Sequence, residues 1–346
     1  MLSRIAESLF WMGRYMERAE DSARLLDVHL HQLLEDSSGV DGLSLSILPS
    51  VFGAVLEEYS EVKVLTQRLV FDLDEPTSIA SSLKGARENA RCIRETISSE
   101  LWECINSTYT AAGRRAAVID AASHHGLFGF VRFVKERIAL AWGIADMTMS
   151  RDEGWYFLIL GRSVERADIT ARLLATNLRL ANDSQVDWVT LLRSCSAHES
   201  YLRTYRRAVE GEYVLELLLA NRIFPRSIYF SLASAENCLA AIAPALEQTT
   251  YGGIDPVEPT VYQISGSLIK MMEELENMSF GTAFSNAEEN VLELTVSVER
   301  VCCAVSTAIA RQYFYQEPHQ EWRSEKAAFM SSPPNGRPQR QKLLPQ

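Results

Sequence analysis

The sequence predicts an all-α fold, a bundle of long helices, and two observations carry this prediction. The chain has 346 residues and 11 prolines, yet no proline lies between Thr77 and Phe224, a stretch of 148 residues. Sheets need frequent turns built from glycine, proline, asparagine or aspartate, and glycine is also scarce, at 17 residues. Long helices avoid both proline and glycine. In addition, apolar residues recur at helical spacing along most of the chain.

The periodic segments predict nine helices. The first runs from Leu2 to about Glu35, with Ser3 as its N-cap. The others are expected, in chain order, at 47–71, 77–107, 113–148, 152–182, 187–209, 226–249, 258–278 and 286–315. Pro76 precedes the third helix, where the first turn tolerates proline. Several of these helices reach about 30 residues, or about 45 Å, and helices of that length joined by short loops pack as mostly antiparallel bundles.

The last part of the chain differs in composition from the rest. Five of the 11 prolines lie from Pro318 onward, among Gln, Ser, Arg and Lys. This composition predicts a helical domain over residues 1–315 and a disordered, proline-rich tail over 316–346. A peptide that docks on a partner protein is the alternative interpretation of the tail.

Charge and cysteine content narrow the function classes. Acidic residues outnumber basic ones 45 to 34, for a net charge of −11, which argues against nucleic acid as a partner. No apolar run approaches the length of about 20 residues that a membrane helix needs, and the N-terminus lacks a secretory pattern. The six cysteines form no C-x-x-C, so we expect buried reduced thiols in a cytoplasmic protein rather than disulfides or a zinc site.

One 14-residue segment occurs twice, at 13–26 and again 148 residues later at 161–174. The shared template is G-R-x-x-E-R-A-[ED]-x-x-A-R-L-L, with nine of 14 positions identical. Two matching segments at this separation predict an internal duplication, with two halves related by an approximate two-fold axis. A short-period solenoid is less consistent with the spacing, since solenoid repeats run about 20–50 residues.

Helical geometry places the key motif residues on one face. In the first copy Gly13, Glu17 and Arg24 share a stripe with apolar side chains, and the second copy repeats the stripe. Glycine in a helix interior costs about 1 kcal/mol relative to alanine, so a repeated glycine predicts a close approach of two helices. The chain also has 28 arginines against 6 lysines, and arginine is the base that pairs with carboxylates inside proteins.

The motif supplies the candidate polar-core or ligand-binding residues. They are Arg14, Glu17, Arg18, Glu20 and Arg24 in the first copy and Arg162, Glu165, Arg166, Asp168 and Arg172 in the second. Three interpretations stay open: a buried Glu–Arg lattice that locks the two halves in register, a polar cavity that binds a carboxylate- or amine-bearing ligand such as a peptide or amino-acid derivative, and a catalytic carboxylate. Glu20–Arg24 and Asp168–Arg172 are also i,i+4 pairs in the favourable acid-first order.

Other candidate sites are weaker. Arginines cluster at 87–94 and at 221–227, where solvated or intramolecular pairing competes with docking on a partner. His29 and His31 would point about 200° apart on a helix, so they would not chelate one metal ion. The chain has no H-E-x-x-H, paired E-x-x-H, G-x-S-x-G, P-loop or G-x-G-x-x-G pattern, so we expect neither a metal nor a cofactor.

The opening segment MLSRIAESLFWMGRYMERAE resembles the bacterial alpha-E family, an all-helical domain of unknown function with a recurring Glu-Arg motif. Residues 87–91 and 225–227 resemble further recurring segments of that family, and the resemblance covers about residues 1–315. It implies partners: family members are typically encoded beside, or fused to, circularly permuted ATP-grasp ligase-like proteins. Transglutaminase-like protease homologues and proteasome-like hydrolases also occur in these neighbourhoods.

The proteins encoded in these neighbourhoods suggest a system that makes and trims amide or peptide bonds. The expected function is therefore a non-catalytic helical subunit that assists an ATP-grasp amide ligase by binding the ligase or its peptide or amino-acid substrate. The first alternative is an enzyme that acts on a peptide or amine with Glu17 or Glu165 as acid or base. The second alternative is a purely structural oligomer.

Overall fold

The computed structural model describes residues 3–35, 51, 62–119, 124–180, 186–247, 261–278 and 284–311. These residues form helices and connecting turns, with no strand among them. The helices are α1 (Ser3–Glu35), α2 (Val62–Phe71), α3 (Ile79–Cys92), α4 (Ser99–Ala116), α5 (His124–Thr148), α6 (Glu153–Leu180), α7 (Trp188–Ser194), α8 (His198–Tyr205), α9 (Gly211–Leu219), α10 (Ile228–Glu247), α11 (Val261–Asn277) and α12 (Phe284–Ile309). The all-α prediction is confirmed. Within the described part of the chain, no helix is long and apolar enough to cross a membrane.

Helices α1 and α6 lie together at the centre of the fold. In the first half, α1, α3, α4 and α5 contact one another in a closed ring, as in a four-helix bundle. In the second half, α6, α10, α11 and α12 form the same ring. The four helices of each half therefore contact one another in the same order. That both halves arose from one duplicated unit stays a prediction.

The two central helices are buried on several faces, which explains their composition. Helix α6 is flanked by α1, α10 and α12, and most of its side chains are shielded from water. Alanine, glycine and serine are frequent on such a helix because small side chains let several neighbours approach it at once. The polar motif residues thus enter the interior together with the apolar ones.

The predicted helix at 77–107 is wrong in one respect, since the chain turns between α3 and α4. Ser98 interrupts the helix because its side chain accepts a hydrogen bond from the backbone N–H of Leu101 and caps α4. Residues 113–116 consequently belong to α4, and α5 begins only at His124.

The predicted helix at 187–209 is also divided. Ser196 and Arg206 have positive φ angles of 49° and 53°, and each lies where a short helix has ended. Helix α9 was not predicted, since it falls between the expected helices at 187–209 and 226–249. The expected tail at 316–346 lies outside the described residues. So do residues 47–61 of the predicted helix at 47–71, apart from residue 51.

Candidate functional site

The two motif copies face each other where α1 crosses α6. A Cβ atom added to Gly13 would lie 2.2 Å from the carbonyl oxygen of Leu158, and one added to Gly161 would lie 2.1 Å from that of Phe10. Real Cβ atoms do not approach backbone oxygens this closely. The glycines therefore allow backbone-to-backbone contact, as the sequence predicts, and each contact has its counterpart 148 residues along the chain.

Glu17 is held by arginines of the second half. Its side chain is only 1% exposed, and Arg166 Nε donates a hydrogen bond of 2.6 Å to Glu17 Oε1. Arg162 Nε lies 3.5 Å from Oε2, and Arg226 Nη2 lies 3.5 Å from Oε1. We refer to these four residues as the Glu17 clamp.

Glu165 is held by arginines of the first half in the mirrored arrangement. Its side chain is 2% exposed, and Arg14 Nε donates to Glu165 Oε2 at 2.6 Å. Arg18 donates through Nε to Oε1 at 2.5 Å and through Nη2 to Oε2 at 3.1 Å. These three residues are the Glu165 clamp. The glutamate carboxylate of each motif copy is thus paired with the first two of the three motif arginines of the other copy.

The arginines of the two clamps keep the carboxyl groups of Glu17 and Glu165 ionised. Burial alone would raise the pKa of Glu17, but the guanidinium groups of Arg166, Arg226 and Arg162 outweigh it and lower this pKa to about 2. Burial likewise opposes the charge of Glu165, and Arg14 and Arg18 outweigh it, so the pKa of Glu165 is also lowered. Both side chains are therefore carboxylates at neutral pH.

The two i,i+4 pairs of the motif form as predicted. Arg24 contacts Glu20, and Arg172 Nε lies 3.2 Å from Asp168 Oδ1. The pair in the second copy lies nearer the surface, because the Arg172 side chain is 36% exposed. All ten candidate residues thus form ion pairs. Seven of them pair across the two halves, namely the six in the clamps and Glu20, which contacts Arg226.

Two members of the polar centre, Arg226 and Asp21, were not among the ten candidate residues, although Arg226 lies in the arginine cluster at 221–227. Arg226 precedes α10, and its guanidinium contacts Glu20 and Asp21 and approaches Glu17. The sequence shows an arginine in a P-R-S turn, but its partners lie more than 200 residues away. Asp21 stands inside the repeated segment at a position where the second copy has isoleucine, so the motif comparison gave no reason to select it.

The carboxyl groups of Glu17, Glu20 and Asp21 lie close enough together to hold a cation. The guanidinium of Arg226 already contacts two of them and lies 3.5 Å from the third. This arginine neutralises the group in the way a metal ion would, so the cluster is explained without one.

Asp21 makes the stability of the polar centre depend on pH. Burial raises the pKa of Asp21 to about 6, and the nearby Glu17 charge adds to this effect against the attraction of Arg226. A raised carboxyl pKa means that the folded state holds the proton more tightly than the unfolded chain. The contribution of Asp21 therefore becomes unfavourable as pH rises from about 4 to about 6.

We expect the Asp21→Asn variant to lose this dependence. Urea unfolding at each pH gives the free energy of unfolding of the wild type and of the variant. The wild-type value minus the variant value should fall by up to about 3 kcal/mol between pH 4 and pH 6.5. A difference that stays constant, or that grows with pH, would show that Asp21 is ionised throughout that range.

The arginine cluster at 87–94 pairs within the chain. Arg87 and Arg91 each approach Glu88 to 2.6 Å, and Arg94 stacks on Trp102 with its Cζ 5.1 Å from the ring centre. Of the six cysteines, none forms a disulfide; four are buried as expected, whereas Cys92 and Cys303 are exposed.

A family model matches residues 1–314, which is most of the chain, and its family is described as an alpha-helical domain with a conserved ER motif. The chain belongs to the Alpha-E family. Glu-Arg pairs occur at four places in this chain, and two of them, Glu17-Arg18 and Glu165-Arg166, lie in the repeated segment, where their side chains belong to the two clamps. In this chain the Glu-Arg pairs of the repeated segment therefore lie at the contact between α1 and α6.

The Alpha-E domain is also similar to curated mycobacterial proteins. One uncharacterized protein of Mycobacterium bovis and two from strains of Mycobacterium tuberculosis are each 26% identical to it over 261 residues. The match covers 66% of this chain but only 28% of each relative, so these relatives are far longer than the matched region. No solved structure matches the chain.

Proposed function

We propose that this Alpha-E protein is a non-catalytic, cytoplasmic accessory subunit of an ATP-grasp-type amide or peptide ligase system. It binds the ligase or the peptide or amino-acid substrate of the ligase. The observation that carries the proposal is the reciprocal clamping of Glu17 and Glu165. The clamp residues pair across the interface of the two halves, which supports a scaffold role for them rather than a reactive one.

Acid–base catalysis by either glutamate has no support from this geometry. A general acid or base works best with a pKa near the operating pH, which requires a desolvated carboxyl group without a cationic partner. Glu17 and Glu165 have the opposite environment, since guanidinium groups lower the pKa of each. Both also use their oxygens to accept hydrogen bonds from the clamp arginines.

The proposed partner follows from the family resemblance. That resemblance implies that such domains are encoded beside, or fused to, circularly permuted ATP-grasp ligase-like proteins, with transglutaminase-like proteins in the same neighbourhoods. The mycobacterial relatives contain the matched region within a much longer chain, as expected of a module that works next to other domains. The absence of a P-loop pattern in the sequence assigns the ATP chemistry to the partner.

The test is a reconstitution with a circularly permuted ATP-grasp ligase-like protein from the same genome. We expect the two purified proteins to co-elute in size-exclusion chromatography. We also expect the ligase to release ADP and form amide product faster when this chain is present. Product formation is measured by mass spectrometry with a mixture of amino acids as substrates.

A chain carrying Glu17→Gln, kept below its melting temperature, is the control that separates the two roles. The accessory role predicts that the folded variant still binds and stimulates the ligase. Loss of product with this folded variant would support the enzymatic alternative. A ligase that is fully active alone and does not associate with the chain would overturn the proposal.

A further inference from the structure

The second half of the protein contains a small pocket between α6 and the start of α10. Its volume is about 190 Å³. Its polar lining residues are Arg162, Ser163, Arg166, Ser231 and Ser234, and apolar side chains including Phe230 complete the wall. The pocket lies directly beside the Glu17 clamp, which shares Arg162 and Arg166 with it.

The corresponding place in the first half is filled. Equivalent positions in the two halves can be matched through a pair of corresponding hydrogen bonds. Ser22 donates to the Thr77 carbonyl oxygen at 3.4 Å, and Thr170 donates to the Arg226 carbonyl oxygen at the same distance. The N-cap serines of α3 and α10, Ser78 and Ser227, then correspond, and each accepts a hydrogen bond from the third residue after it.

In this register Tyr15 corresponds to Ser163, and Gly85 corresponds to Ser234. The Tyr15 ring lies against Gly85, where an added Cβ atom would come within 2.8–2.9 Å of the ring carbons. In the second half both positions are serine, and Ser163 donates a 2.9 Å hydrogen bond to Ser234 Oγ. The large ring is therefore replaced by two hydroxyl groups, which leaves the pocket open and lines it with polar atoms.

The pocket wall carries more positive than negative charge. Around Glu17, four guanidinium groups face three carboxyl groups; the residues are Arg24, Arg162, Arg166, Arg226, Glu17, Glu20 and Asp21. Burial and the adjacent Arg166 lower the pKa of Arg162 to about 10, as expected of a cation with too little compensation. Arg162 Nε is buried, and the Glu17 Oε2 atom 3.5 Å from it does not complete a hydrogen bond.

We propose that this pocket binds a small oxyanion, a carboxylate or phosphate group, through Arg162, Arg166 and the Ser163–Ser234 hydroxyl pair. An oxyanion would supply the missing acceptor for Arg162 and the missing negative charge. The Ser234 hydroxyl accepts from Ser163, so its own proton remains available for donation. The volume suits the charged end of a ligand rather than a whole cofactor, whose pockets are about 300–1,000 Å³.

This inference deepens the proposed function and rests on it for one point, that the natural oxyanion is the carboxylate of an amino acid or peptide. The pocket itself can be tested on the isolated chain without any ligase. Failure of the pocket and failure of the ligase association are therefore observed in separate experiments.

The experiment is isothermal titration calorimetry of the full chain with three probes. N-acetylglycine carries a carboxylate, N-acetylglycinamide is its neutral counterpart, and inorganic phosphate represents the other oxyanion. We expect saturable binding of an oxyanion at one site per chain, since the Tyr15 ring against Gly85 fills the corresponding place among the described residues of the first half. Binding of the amide should be at least tenfold weaker.

The matched variant copies the first half into the second, as Ser163→Tyr combined with Ser234→Gly. It fills the pocket and leaves every arginine and carboxylate in place, so oxyanion affinity should fall at least tenfold. Ser267→Tyr, which adds the same ring at an exposed position of α11, should bind as the wild type does. If the double variant does not fold, Ser234→Leu fills the pocket from α10 alone.

The three probes and the filled variant give different results for each interpretation of the pocket. Carboxylate binding supports both the pocket and its role in the proposed function. Binding of phosphate alone supports the pocket and contradicts the amino-acid source. Equal heats for N-acetylglycine and its amide together with no phosphate binding would overturn the inference, as would unchanged oxyanion affinity in the folded, filled variant.

Discussion

Replacing Gly161 with alanine is expected to lower the free energy of unfolding by about 3 kcal/mol, and Gly13→Ala should act similarly. The added methyl group would meet a backbone carbonyl at about 2.1 Å in the first case and 2.2 Å in the second. A backbone atom cannot move aside as a flexible side chain can, so α1 and α6 must separate. Separation would also stretch the ion pairs of both clamps. Urea unfolding followed by circular dichroism measures the change.

The control is the same substitution at glycines that face open space. Gly143 and Gly129 lie in α5, and a Cβ atom at either position would have no neighbour within 4 Å. Alanine should stabilise the protein there by up to about 1 kcal/mol because it favours the helix. If Gly161→Ala also stabilised the protein, the close approach of the central helices would be refuted.

Removal of a clamp carboxylate is the second large effect. Glu165→Ala should lower the free energy of unfolding by about 3–5 kcal/mol, because Arg14 and Arg18 would keep their charge in the interior without a partner. Glu17→Ala should have a similar effect through Arg166. Thermal and urea unfolding at pH 7 measure both. The lowered pKa of Glu17 predicts that its contribution is lost progressively as pH falls from about 4.5 to about 2.

An exposed ion pair provides the comparison. Glu136 pairs with Arg132 on the surface of α5, so Glu136→Ala should leave stability almost unchanged. Combining Glu165→Ala with Arg14→Met should recover part of the loss, since one unpaired buried charge is removed. Additive losses in this double variant would contradict the direct coupling of Glu165 and Arg14.

Local features were predictable from the sequence. The pairs Glu20–Arg24 and Asp168–Arg172 depend only on helical spacing, and both form. The first helix was placed almost correctly because its apolar pattern is long and ends before a glycine. The break at Ser98 was missed because a single capping hydrogen bond outweighs the helix propensity of the neighbouring residues.

The exchange of arginines between the halves was not predictable. Arg14 and Glu165 are 151 positions apart, and the sequence contains six arginines in the two motif copies that could hold each glutamate. Arg226 reaches Glu20 from the start of α10, a distance along the chain over which no spacing rule operates. Such pairings depend on which helices become neighbours.

The amino-acid sequence by itself determined the helical class, the doubled Glu-Arg segment and the need for glycine where two helices meet, because these depend on backbone preferences and on periodicity along one helix. Only the tertiary structure decided that each half clamps the carboxylate of the other, and that a pocket stays open where Ser163 and Ser234 replace Tyr15 and Gly85. The physical reason is that burial, charge balance and free volume are properties of several packed helices together.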